Sequence, residues 1–181
     1  GTPIPGVEIK IVGSDGCEIM DGSPGELHVR GPNVMLGYFR QPELTEAVID
    51  KDGYLNTGDI VSVNSKQEMV VQGRTKELII RSGFNVYPPE IEAALNTHPA
   101  VLNSAVVGRS IEGNEEIVAF VEPVPGCHIE IDTLFALLDE QLARYKKPQK
   151  IIVMSQLPVA PNGKIRKNDL KKYAEALPSF A

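Results

Sequence analysis

Short runs of apolar and β-branched residues, each broken by a polar turn segment, fill the first 75 or so positions of the chain. VEIKIV starts at Val7, ELHVR at Glu26, IVSVN at Ile60 and EMVVQ at Glu68, and each run reads as a strand. Between them stand SDG, DGSPG, RGPN and NSKQ, whose Gly, Asn and Pro content favours turns. The pattern predicts antiparallel β structure, with one short helix after Pro42 in PELTEAVI.

From Lys76 onward the pattern changes. ELIIRSGFNV predicts a hairpin, and Pro88 and Pro89 open a helix through Ile91, Ala94 and Leu95, because proline is tolerated in a first turn whose amides lack partners anyway. SAVVG and EEIVAFV predict two buried strands. Ile131, Leu134, Phe135, Leu138 and Leu142 recur at helical spacing and share one face. KIIVM predicts a further strand and KNDLKKYAEAL a terminal helix. The order predicts an α+β chain in two parts: an antiparallel β subdomain over residues 1–75, then a small mixed α+β domain over 76–181. The boundary is placed at Gly73 to Lys76.

Composition sharpens this in three ways. With 181 residues, 42% hydrophobic and 23% charged, the chain is long enough to bury a core and is neither disordered nor fibrous. No apolar run is long enough to cross a bilayer. Cys17 and Cys127 stand far apart with no CxxC or Cys/His grouping, so neither a zinc site nor a disulfide framework is expected, and the expected setting is reducing and cytoplasmic. The opening GTPIPGVEIKIV has no methionine and no signal pattern, and reads as the start of an excised piece.

Charge is uneven along the chain. The net charge is -6, yet Arg144 to Lys172 holds nine Lys or Arg against a single acid, Asp169. Such a segment is either a solvated basic face or a surface for phosphate-rich ligands. Nucleic acid is the weaker reading, because only Tyr145 and Tyr173 interleave the charges. Lys146, Lys147 and Lys150 are candidate phosphate contacts, with no motif to choose among them.

Four segments are candidates for chemistry. In GYLNTGD, Gly53 to Asp59, Thr57, Gly58 and Asp59 predict a tight turn ending in a carboxylate that could accept two hydrogen bonds from a ribose diol. By itself the same sequence is a turn former. In GRTKELIIRSGFNVYPPEIE, Gly73 to Glu92, Arg74 is a fixed cation, Gly83 allows either close backbone approach or a hairpin turn, and Glu90 and Glu92 read as structural acids at a helix start. In LPVAPNGKIRKNDL, Leu157 to Leu170, a Pro161–Gly163 turn presents Lys164 at an exposed tip, suited to an anionic phosphorus-centred transition state or simply to solvent. RGPNVMLGYF, Arg30 to Phe39, suggests only a strand and loop.

In order and spacing, GYLNTGD, GRTKELIIRSGFNVYPPEIE and PNGKIRK resemble three late core motifs of the acyl-activating, adenylate-forming superfamily, which includes acyl-CoA synthetases. PIPGVEIKIV, GELHVRGPNVMLGYF and HPAVLNSAVVGR extend the resemblance over nearly the whole chain. It implies an enzyme that joins a carboxylic acid, expected to be a fatty acid, to ATP, giving an acyl adenylate that is then transferred to coenzyme A. It implies that Asp59 and Arg74 hold the ATP ribose and that Lys76 is the hinge of a rotating small domain. Lys164 then acts at the α-phosphate and acyl carboxylate, and Gly83 lines the pantetheine tunnel. The glycine-rich phosphate loop, the glutamate that holds Mg2+ and the acid pocket are implied to lie upstream, in a large N-terminal domain. This segment is therefore expected to bind no metal and to be inactive alone. The competing readings are an adenylation domain that delivers to a carrier protein and a non-catalytic phosphate- or partner-binding module.

Overall fold

The computed structural model describes residues 1–66 and 68–178. The chain divides into two units, Gly1–Lys76 and Glu77–Ala181. The architecture is α+β.

The first unit is a four-stranded antiparallel sheet in the order β1 (Glu8–Val12), β2 (Gly25–Arg30), β3 (Leu55–Val63), β4 (Met69–Arg74). Strand β3 starts five residues earlier than the apolar run suggested, because it carries a bulge. Glu26 pairs with Ile60 and His28 with Asn56, so Leu27 alone faces Thr57, Gly58 and Asp59. The bulge closes its own polar groups. The Thr57 hydroxyl donates to the Leu27 carbonyl (2.9 Å) and accepts from the Asp59 amide (3.1 Å), while the Gly58 amide donates to Asn56 Oδ1 (2.8 Å). Gly58 lies at φ 70°, a conformation that costs other residues more. Helix α1 spans only Pro42–Glu46 and buries nothing, which is why PELTEAVI does not extend further.

The second unit opens with a hairpin, β5 (Ile79–Arg81) and β6 (Phe84–Val86), followed by α2 (Pro88–Leu95). Strands β7 (Val101–Ile111) and β8 (Asn114–Pro123) pair antiparallel. A crossover through α3 (Ile131–Gln141) then brings β9 (Lys150–Val153) parallel to β8, and α4 (Lys167–Glu175) completes the fold. Leu142, expected at the end of the α3 stripe, is the helix cap in an extended conformation and still packs on the core.

Because β8 is the central strand of the order β7-β8-β9, it is covered on both faces, and this explains its nearly unbroken apolar run. Ile117, Ala119 and Val121 point to a core shared with α2, α3 and the hairpin residues Ile79 and Val86. Val118 and Phe120 point the other way, to a smaller core with Leu157 and the α4 residues Leu170 and Ala174. Phe120 is fully buried and meets Tyr173 edge-on at 5.8 Å. Phe120→Ala is expected to lower the stability of the second unit by about 3–5 kcal/mol, read as a lower denaturant midpoint for this chain.

Candidate functional site

In the first unit the bulge in β3 aims Asp59 at β4, where its register partner is Arg74. Arg74 Nε donates to Asp59 Oδ1 at 2.9 Å, with the two side chains 64% and 30% exposed. TGD is therefore a bulge within a strand, not the free tight turn that its composition suggested. An exposed ion pair adds only about 0–1 kcal/mol, so the consequence of the pair lies in orientation: an acceptor and a donor are fixed side by side and reach solvent together. Glu26, which the motif reading did not single out, braces this arrangement. One of its oxygens accepts from Asn56 Nδ2 at 3.0 Å and the other accepts a short bond from the Thr75 hydroxyl. The only sequence signal for it is an acid at the head of the ELHVR run. Thr75 precedes Lys76, which sits exposed in a 3₁₀ turn, Thr75–Glu77, where the first unit ends.

In the second unit Lys164 and Gly83 lie on hairpins rooted in different cores. Around Lys164, Val159 bridges Ile165. The Ala160 amide donates to the Lys164 carbonyl, and the Gly163 amide to the Ala160 carbonyl, both at 2.8 Å. Leu157 and Ile165 seat this hairpin in the core beneath α4. The Lys164 side chain is left exposed at the tip.

Gly83 sits in the turn between β5 and β6, with Ser82 at φ 50° and Gly83 at φ 82°. Two successive left-handed residues make the tight turn that matches strand twist. The Ser82 amide donates to Asn114 Oδ1 and the Ile80 amide to Glu115 Oε2, each at 2.7 Å. Arg81 grips the Tyr145 and Lys147 carbonyls at 3.0 and 2.7 Å. A Cβ on Gly83 would meet nothing within 4 Å, so the turn presents bare backbone to open space. Ile79 and Val86 anchor it in the α2/α3 core, and the three-stranded sheet therefore separates it from the Lys164 hairpin.

The basic segment is less exposed as charge than its sequence implies. Lys146 Nζ lies 2.6 Å from Glu90, Lys147 Nζ 2.5 Å from Asp139 and Arg166 Nε 2.9 Å from Asp169. Lys167 Nζ lies 2.6 Å from Glu77 and 2.9 Å from Glu92. Burial alone would lower the pKa of Lys146, but Glu90 first and Tyr145 after it together outweigh burial and leave the pKa raised. Lys146 and Lys147 thus carry acidic partners from within their own unit. Glu90 and Glu92, on α2, each pair with a lysine distant in sequence.

Among the described residues no group of three or more His, Cys, Asp or Glu is arranged to hold a metal ion. No helix there is long and apolar enough to cross a membrane.

Two family models match the sequence: that of the AMP-binding enzymes over residues 1–39, and that of their C-terminal domain over residues 90–164. This chain belongs to the AMP-binding enzyme family. It is 42% identical over 99% of its length to 4-coumarate–CoA ligase 5 of Oryza sativa, covering 34% of that protein. To the long-chain-fatty-acid–CoA ligase of Escherichia coli O157:H7 it is 38% identical over 96% of its length, covering 31%. The crystal structure of ATP-bound MatB from Rhodopseudomonas palustris superimposes with a TM-score of 0.87 at 36% identity, over 97% of this chain and 35% of that one. The chain thus spans about a third of the length of the curated relatives it matches. The match to the C-terminal model of the AMP-binding family ends on Lys164.

Proposed function

We propose that this chain is the C-terminal third of an AMP-forming acyl-CoA ligase, which adenylates a carboxylic acid with ATP and then passes the acyl group to coenzyme A. The observation that carries this reading is the placement of Lys164 and Gly83 across one sheet of the second unit. A rotating domain with two such faces brings a lysine to one half-reaction and a bare glycine turn to the other.

In adenylation the carboxylate attacks the α-phosphorus of ATP and pyrophosphate leaves. Asp59 accepts hydrogen bonds from the ribose hydroxyls, and Arg74 fixes its carboxylate. Lys164 supplies positive charge where negative charge gathers on the α-phosphate and acyl oxygen. In the second step the thiolate of coenzyme A attacks the acyl carbonyl and AMP leaves. The backbone at Gly83 then passes close to the pantetheine arm, where a side chain would narrow the path. Lys76 is the hinge between the two poses, and a large N-terminal domain completes the site. That domain supplies the glycine-rich loop and the magnesium ligand, and the 181 residues alone are inactive. The acid is a fatty acid, a reading supported by the relative named for long-chain fatty acids. The enzyme works in the cytoplasm, where the exposed Cys17 and Cys127 stay as thiols.

The full-length enzyme is to be given fatty and aryl acids with ATP and magnesium, with pyrophosphate exchange and then CoA thioester formation followed. Exchange and thioester formation with fatty acids are the expected result. Exchange without a thioester would redirect the second step to another acceptor, and exchange with aryl acids only would overturn the fatty acid. No exchange with any acid would overturn the whole reading.

A further inference from the structure

Lys167 stands three residues beyond Lys164, at the first turn of α4, in a position that its motif leaves without a task. Its Nζ lies between two carboxylates from far along the chain, Glu77 Oε2 at 2.6 Å and Glu92 Oε1 at 2.9 Å. Burial alone would lower its pKa. The carboxylates, Glu92 foremost, outweigh that and leave it raised, so the ammonium stays charged.

Each partner leads somewhere specific. Glu77 is the first residue of the second unit and follows Lys76 directly. Glu92, on α2, also accepts the Val106 amide at 2.8 Å. Val106 belongs to β7, an edge strand whose one sheet partner among the described residues is β8, so this bond ties down an amide on the open edge. Helix α2 packs in one core and α4 in the other. The Lys167 ammonium therefore bridges both sides of the sheet around its β7 edge. On its own side Lys167 adjoins the Lys164 hairpin, whose last bond runs from the Arg166 amide to the Pro158 carbonyl at 2.8 Å.

We infer that Lys167 is a positioning residue: it fixes the root of the Lys164 hairpin to Glu77 at the start of the mobile unit and to Glu92 at the β7 edge. It touches no reacting atom. Without it the hairpin keeps its turn but loses its fixed bearing on the rest of the unit, and Lys164 loses its aim. The Gly83 turn, held instead by Asn114, Glu115 and Arg81, does not depend on it.

The test has one arm that rests on the ligase reading and one that does not. In the full-length enzyme, Lys167→Met keeps the stem and removes the charge. It is expected to slow pyrophosphate exchange about 100-fold, the scale of a misplaced catalytic group. Thioester formation from supplied acyl adenylate should stay within about twofold, and Lys167→Arg should restore most of the exchange rate. Equal loss in both half-reactions, no loss in either, or no rescue by arginine overturns the inference. Glu77→Gln, a smaller change, replaces Lys167→Met if that variant does not fold, with the same pattern expected. Independently of activity, Lys167→Met in this chain should speed amide hydrogen exchange at Ala160 and Arg166 by about tenfold and leave Ile80 and Ser82 unchanged. Unchanged protection at Ala160 and Arg166 overturns the inference even where no acid substrate is found. Absence of exchange in the unaltered enzyme counts against the ligase reading alone.

Discussion

Lys164→Ala in the full-length enzyme is expected to slow acid-dependent pyrophosphate exchange by about 10²–10³-fold, the usual loss when one preorganised charge-stabilising group is removed from a transition state. Thioester formation from supplied acyl adenylate should change little. The asymmetry follows from geometry: Lys164 stands on the α4 side of the sheet and the Gly83 turn on the α2/α3 side, so a pose that uses one face turns the other away. The substitution should also leave the fold intact. Lys164 holds its hairpin through backbone groups, with its amide donating to Asn162 Oδ1 at 3.2 Å and its carbonyl accepting from Ala160 at 2.8 Å. An exposed side chain of this kind changes stability by about 0.5 kcal/mol or less. The measurement is the pair of half-reaction rates on one preparation, and equal loss in both would sink the assigned role.

The second large effect is expected from Lys76→Pro, which should slow thioester formation about 100-fold, or about 2.7 kcal/mol, and slow adenylation far less. Proline fixes φ near -65°, within the range ordinary for a 3₁₀ turn such as Thr75–Glu77. The ring also disfavours helical backbone at the preceding Thr75. Fewer backbone conformations are open to the junction and rotation about it is resisted, so the cost is expected in the second half-reaction, which on the proposed reading follows that rotation. Single-turnover rates for each half-reaction give the readout, and a variant with both rates preserved would remove Lys76 as the hinge.

The legible and illegible parts of this protein separate by range. Pro88 and Pro89 announce α2, and the residues from Leu134 to Leu138 announce α3, because helix starts and apolar stripes are local signals. EEIVAFV announces a strand covered on both faces, since only a central strand makes an unbroken apolar run affordable. The start of β3 was not legible. Leu55–Asp59 holds Asn, Thr, Gly and Asp, which favour turns, and the strand exists there only because β2 supplies partners across a bulge.

Charge shows the same division. Arg144 to Lys172 looks like a basic surface when only sequence neighbours are counted, yet Lys146, Lys147, Arg166 and Lys167 each meet an acid in the folded unit. Of their five acidic partners only Asp169 lies inside the segment; Glu77, Glu90, Glu92 and Asp139 come from outside it. Glu77 and Lys167 are 90 positions apart, and no local pattern links them.

By itself, then, the sequence determined the order and type of the elements and the motifs that place the chain in its family, because both are written in short stretches of side-chain chemistry. The tertiary structure alone decided that Asp59 meets Arg74, that Lys164 and Gly83 stand on opposite sides of a sheet, and that Lys167 sits half-buried between two acids. Those facts depend on strand register and on which face of β8 each neighbour covers, and both are set by packing between segments far apart in the chain.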